Sequence, residues 1–204
     1  MPNERVTSSH PASTRDRILR AAIELIAEVG GDRVRTRAVA ERAGVNQALV
    51  HYHFGSMTTL LREADEAVLA TEGAPFFAAL EGTVTARALV EGLFAAVQQI
   101  GEPTPELMVA IDMLNRAARD PESRARVKDI LAEFRDLIRD RLAAAQRRGE
   151  IDEQVDTEAA AAVLAALLDG LGMHRLIDPE LDVRPAIGLV TALLTPEGKD
   201  AYTT

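Results

Sequence analysis

From Ile18 onward the apolar side chains of this chain recur at intervals of three and four residues; no stretch alternates with period two for long, and no internal repeat is found. Ile18, Leu19, Ala22, Ile23, Ile26 and Val29 form the first stripe, one face of a helix. Ser13 or Thr14 is placed to cap it, Asp16 puts an anion near its N-terminus, and Gly30-Gly31 ends it. A short second helix is predicted from a Thr36 cap through Ala43, and Gly44 breaks it; a third follows over about 46–54. Gly55-Ser56 stops the third and opens a fourth, through about Ala70. Gly73, Pro75 and Gly82 make 72–85 the predicted boundary between a head and a body, with Phe76-Phe77 in a short helix of their own.

The body reads as long helices over 86–100, 104–119, 122–148, 157–177 and 184–194, punctuated by Gly, Pro and Asp. The predicted class is all-α. It comprises a disordered arm (1–13), a three-helix head (14–55), a connecting helix (56–71), a helical body (72–195) and a flexible tail (196–204). Residues 159–168 are apolar on every side, and 186–194 nearly so. A helix apolar all round must be buried all round. Near the end of so short a chain, that is most easily met with its own core on one side and a second copy on the other. Leu164, Leu167, Leu171 and Leu193 are the expected partner contacts, and Gly170 and Gly172 permit close approach. The alternative is the central core helix of a monomer.

Composition narrows the function. Hydrophobic residues at 47% suffice for a packed core, and aromatics at 3% make that core aliphatic. The absence of cysteine excludes disulfides and thiolate metal sites and suits a reducing compartment. Residues 1–13 lack the apolar stretch of a signal peptide, and the longest unbroken apolar run, 159–168, is about half of the ~20 residues that span a bilayer. A soluble, cytoplasmic protein is expected. The net charge of −9 argues against nucleic acid until it is divided along the chain. Residues 1–55 carry eight Arg against six acids, net +2, with three of the four histidines; residues 56–204 carry −11. A basic head on an acidic body is what a protein needs when one end meets phosphates.

The informative segment is Thr36–Phe54, TRAVAERAGVNQALVHYHF. A helix-turn-helix needs a small residue where its helices touch, which Ala40 supplies, and a left-handed backbone four residues on, which Gly44 adopts freely. Val39, Val45 and Val50 are placed to hold the second helix on the first. Gln47, Ala48, His51 and Tyr52 then share the opposite face, a polar surface suited to base edges and phosphates. An ordinary helical hairpin with a glycine cap fits the Ala-x3-Gly spacing equally well.

The segment GVNQALVHYHFGSMTTLL (44–61), together with TRDRIL (14–19), resembles the TetR family of bacterial transcriptional regulators over about residues 14–65. Farther on the similarity is architectural: total length, a helical body, and Leu167-Leu168-Asp169-Gly170-Leu171-Gly172, which looks like the family's dimerisation helix. The resemblance implies a homodimeric, sequence-specific DNA-binding regulator, a repressor released from a palindromic operator by a small-molecule effector. By position it implies that Val45, Val50 and Phe54 anchor the recognition helix and that Gln47 and Ala48 read bases. Tyr52 and His53 would meet phosphates, and Thr36 would do so as a helix cap; Arg37 and Asn46 complete the DNA-contacting set. His51 stands where the family usually has tyrosine. Met57 stands where a lysine commonly reaches phosphate, so backbone affinity would fall to Arg37, helix N-terminal amides and Arg of the first helix or arm.

No cofactor or metal is expected. His51 and His53 lie two apart, roughly 200° around a helix, with no third ligand in view, and His174 reads as a core or interface residue. An effector pocket is expected among the body helices, lined by Phe76, Phe77, Phe94, Met108, Ile111, Asp112 and Asn115. Asp112 and Asn115 would offer polar handles on a helix whose Met108, Ile111 and Leu114 point inward. Alternatives are a ligand-independent or activating regulator and, in a different class, an all-α scaffold protein or enzyme without DNA affinity. No GxSxG, P-loop or HExxH supports an enzyme.

Overall fold

The computed structural model describes residues 13–81 and 85–194; the expected arm, apart from Ser13, and the expected tail lie outside them. Among the described residues are nine α-helices and no strand. They are α1 (Thr14–Val29), α2 (Thr36–Ala43), α3 (Gln47–Phe54), α4 (Met57–Glu81), α5 (Ala86–Gln98), α6 (Pro105–Ala117), α7 (Pro121–Arg147), α8 (Thr157–Ile177) and α9 (Arg184–Leu194). A 3-10 turn over Gly31–Arg33 follows α1.

Polar residues at the helix starts supply partners for otherwise orphaned amides. Ser13 accepts from the Asp16 amide at 3.1 Å while the Asp16 carboxylate accepts from the Ser13 amide at 3.2 Å, a reciprocal capping box. The same bonds hold the Asp16 carboxyl below the usual carboxylate range. Asp120 caps α7 ahead of Pro121, and Asp156 caps α8. Thr36 departs from expectation. The residue before α2 in extended conformation is Arg35, and Thr36 is already helical, with no side-chain cap bond at that start.

The fourth helix also departs, continuing through Gly73 and Pro75 to Glu81, so Phe76 and Phe77 belong to it. Pro75 removes one helical donor, but burial of the last turns outweighs that loss. Leu80 is buried in an apolar cluster, Phe76 packs against the cluster, and the Phe76 and Phe77 rings stand edge-on to Phe134 at 6.1 and 6.3 Å.

The chain forms two compact units. The first comprises residues up to Val68 together with Pro105–Met113. Its core gathers Ile18, Ala22 and Ile26 of α1, Val39 and Ala40 of α2, Val50 and Phe54 of α3, Leu60, Ala64 and Val68 of α4, and Val109 of α6. Asp112 belongs here too. Its carboxylate accepts from the amide of buried Gly31 at 3.1 Å.

The second unit comprises Leu69–Thr104 and the residues from Leu114 onward. α7 packs along α8, and α5 packs on α8 and α9. Phe94 and Leu93 of α5, Ile138 and Leu142 of α7, and Leu164 and Leu168 of α8 form its centre. Arg175 is buried near the end of α8, donating to the carbonyls of Ile100, at 2.9 Å, and of Leu181. α8 is long and apolar enough to cross a bilayer, and one row of it, Ala161, Leu164, Ala165 and Leu168, is buried in the core of this unit.

Candidate nucleic-acid interface

α2 and α3 meet through the residues their sequence selects for the purpose. Gly44 ends α2 in the left-handed conformation, φ +65° and ψ 40°, where a side chain would be strained. The Val45 amide returns to the Ala40 carbonyl at 2.9 Å, and Ala40 is buried where a longer side chain would force the helices apart. Asn46 caps α3, its Oδ1 accepting from the Leu49 amide at 2.9 Å. Val50 and Phe54 are buried beneath α3, and Val45 packs partly against the same core.

Burying that face turns the other outward. Gln47, Ala48, His51 and Tyr52 are exposed, Tyr52 at 82%. His53 is half-buried between the Tyr52 ring, edge-on at 5.1 Å, and the Phe54 ring. Thr36 is half-buried and Arg37 exposed at the start of α2. α3 thus carries four of the eight expected DNA-contacting residues fully outward on one short helix. Asn46 adds its amide nitrogen, because only its oxygen is engaged by the cap.

The arginines are deployed differently from what their number implies. Arg15 pairs with Glu63 and lies over the Phe54 ring, 5.0 Å from its centroid. Arg42 clamps Glu28 at 2.8 Å and Glu24 at 3.3 Å, joining α2 to α1. These bonds raise the Arg42 guanidinium and hold the Glu28 carboxyl low. Arg33 donates to the Val29 carbonyl, and Arg35 to those of Asp32 and Val34. Arg37 pairs with Glu41 at 2.8 Å, both side chains well exposed. Arg17 and Arg20, exposed on α1, pair with no side chain among the described residues. Met57 is partly buried against the core of this unit, so an apolar contact occupies the position expected to lack a phosphate-reaching charge.

The residues expected to line an effector pocket divide between the units. Phe94 is 1% exposed, a plain core residue. Met108, Ile111 and Asp112 sit on the part of α6 that belongs to the first unit. The buried row of α6 is Val109, Met113 and Ala117, four apart, while Met108, Leu114 and Asn115 are exposed. The inward row of this helix is therefore Val109, Met113 and Ala117 and not the expected Met108, Ile111 and Leu114, and Asp112 accepts from the Gly31 amide. Phe134, which sequence reasoning did not single out, groups with Phe76 and Phe77 in the second unit.

The expected partner contacts divide as well. Leu164 is buried in its own chain's core, and Leu167 and Leu171 are half-buried against it. Leu193 is 64% exposed. The outward row of α8 is Val163, Met173 and Ile177, and Leu189 joins Leu193 on α9. A three-to-four spacing started one residue earlier, from Val163, reaches this row.

Two family models match the chain: bacterial regulatory proteins of the tetR family over residues 18–64, and the C-terminal region of BetI-type transcriptional repressors over residues 85–196. The tetracycline repressor class A of transposon 1721 from Escherichia coli is 45% identical over 53 residues, only 26% of this chain and 24% of that protein. The HTH-type transcriptional repressor AcnR of Corynebacterium efficiens is 27% identical over 164 residues, covering 80% of this chain and 82% of that one. Among solved structures, a transcriptional regulator from Saccharomonospora viridis in complex with choline is 27% identical, with a TM-score of 0.67, covering 87% of this chain and 91% of that one.

Proposed function

The chain belongs to the TetR family and is a DNA-binding transcriptional regulator, and from that premise we propose that it is a homodimeric, effector-released repressor of a pseudo-palindromic operator. The outward strip of α3 carries this reading: Gln47, Ala48, His51 and Tyr52 exposed over buried Val50 and Phe54. An eight-residue helix held from beneath fits a major groove, where side-chain donors and acceptors distinguish base pairs. Gln47 and His51 read bases, while Tyr52, His53, Arg37 and the start of α2 meet the backbone. Arg37 can leave its exposed pair with Glu41 at little cost, since such pairs are weak in water.

Pairing through the outer faces of α8 and α9 places two such helices on one duplex, and the two-fold axis makes the operator palindromic. An effector bound in the second unit acts only by preferring the conformation that does not fit the operator. Choline in the related Saccharomonospora viridis regulator supports a small organic molecule as the effector class. The site of action is the cytoplasm, where the DNA is.

Selection of bound fragments from a random DNA pool tests the reading. A recovered palindrome with half-sites about one helical turn apart is expected. Binding that shows no common sequence would exclude it.

A further inference from the structure

α3 closes on a glycine, and that closure brings a backbone carbonyl to one nitrogen of the His51 imidazole. Gly55 follows the helix at φ +72° and ψ −57°, a conformation that side-chain-bearing residues rarely adopt. Its amide donates to the His51 carbonyl at 2.8 Å, and its own carbonyl oxygen lies 3.3 Å from His51 Nδ1. A carbonyl oxygen only accepts, so this contact requires the proton on Nδ1. In the neutral ring Nε2 then carries a lone pair and no hydrogen. His51 is exposed on the same strip as Gln47, Ala48 and Tyr52.

On this basis, and resting on the reading that α3 enters the major groove, we infer that His51 is a specificity-determining acceptor for an exocyclic amino group of a base. In the major groove only two base edges carry such a donor, N4 of cytosine and N6 of adenine; guanine and thymine present acceptors. Cytosine is the better match, because adenine also presents N7, which a lone acceptor leaves unpaired, whereas a side-chain amide such as that of Gln47 satisfies both adenine atoms. A tyrosine at this position would carry a hydroxyl that both donates and accepts. The neutral histidine, with Nδ1 donating to Gly55, offers a base an acceptor alone.

Two measurements on the full-length protein test this. Long-range proton–nitrogen correlation of the imidazoles, with the His51 signals identified by their loss in His51→Ala, should show the hydrogen on Nδ1. Operators recovered by selection should then be altered one base pair at a time. At the position whose preference depends on His51, replacing the preferred pair's cytosine by pyrimidin-2-one, or its adenine by purine, removes only the exocyclic amino group. That change should weaken wild-type binding by roughly two- to twelve-fold, the worth of one ordinary hydrogen bond, and leave His51→Ala unaffected. His51→Ala should erase that preference and leave the others, and Gln47→Ala should erase a different one. Cytosine against adenine at the position identifies which amino group is read. A neutral ring with its hydrogen on Nε2, no loss when the amino group is removed, or identical preferences in wild type and His51→Ala overturns the inference alone. A wild type that selects no common sequence overturns the groove-binding reading and the inference with it.

Discussion

The Asp112 carboxylate and the Gly31 amide lie 81 residues apart in sequence and bond at 3.1 Å. Gly31 is buried, so deleting this acceptor leaves an amide without water or partner, which costs about 1–3 kcal/mol. Asp112→Ala should lower the denaturant midpoint accordingly; an unchanged midpoint would mean that the amide finds another acceptor. At the DNA-reading strip the expected effects differ in kind. Gln47→Ala should cost ~1–3 kcal/mol on the operator and little on random DNA. Tyr52→Phe should weaken both alike if its hydroxyl meets phosphate. Selective operator loss in the tyrosine variant, with none in the glutamine variant, would show that the strip is assigned the wrong way round. Single residues were unevenly legible. Ala40, Gly44 and Val50 announce their places because a helix contact, a left-handed turn and a buried face each admit few side chains, whereas Phe54 was placed by the family resemblance. The arginines do not, because an Arg reads the same whether it meets a phosphate or, like Arg42, a glutamate from the neighbouring helix.

Helix positions were legible wherever a cap and a stripe coincide, as at Ser13–Asp16 before α1 and Asp156 before α8. They failed at α4, where Gly73 and Pro75 signal a stop that the distant partner Phe134 overrides, and along α6, where Met108 and Val109 are both apolar and sequence alone does not say which row turns inward. Met57, the first residue of α4, shows how an element's end bears on function. Its side chain packs partly against the core, and a lysine stem can cover the same surface while its ammonium reaches outward. Met57→Lys should therefore strengthen binding to every DNA sequence and steepen the dependence of log K on log salt by about 0.9, one phosphate contact. An unaltered slope, read from titrations at several salt concentrations, would place the start of α4 out of reach of the backbone.

At the scale of the whole molecule, all-round apolarity pointed to a partner surface, but it cannot distinguish a residue that faces its own core from one that faces a second copy. Burial separates them: Leu164 is interior, whereas Val163 at 66%, Ile177 at 80% and Leu193 at 64% are left in water by a single chain. Large aliphatic side chains left exposed on two consecutive helices are a surface that a second copy offering the same face would cover with two-fold symmetry. The distinction also decides which variant is informative. Leu164→Glu would bury a charge inside the folded chain and unfold it whether or not a dimer exists. Leu193→Glu sits in water in the single chain, so folding should survive. In a dimer that covers α9, the new carboxylate would be buried unpaired at a cost of several kcal/mol. Light scattering should then find wild type at twice the 22.0 kDa of one chain and Leu193→Glu at the single-chain mass, with unchanged helical content. The variant should bind a half-site as wild type does and lose the advantage of the full palindrome, because its α3 strip is untouched. A wild type that scatters as a monomer, or a Leu193→Glu protein that remains dimeric and holds the full operator normally, would remove these two helices from the interface.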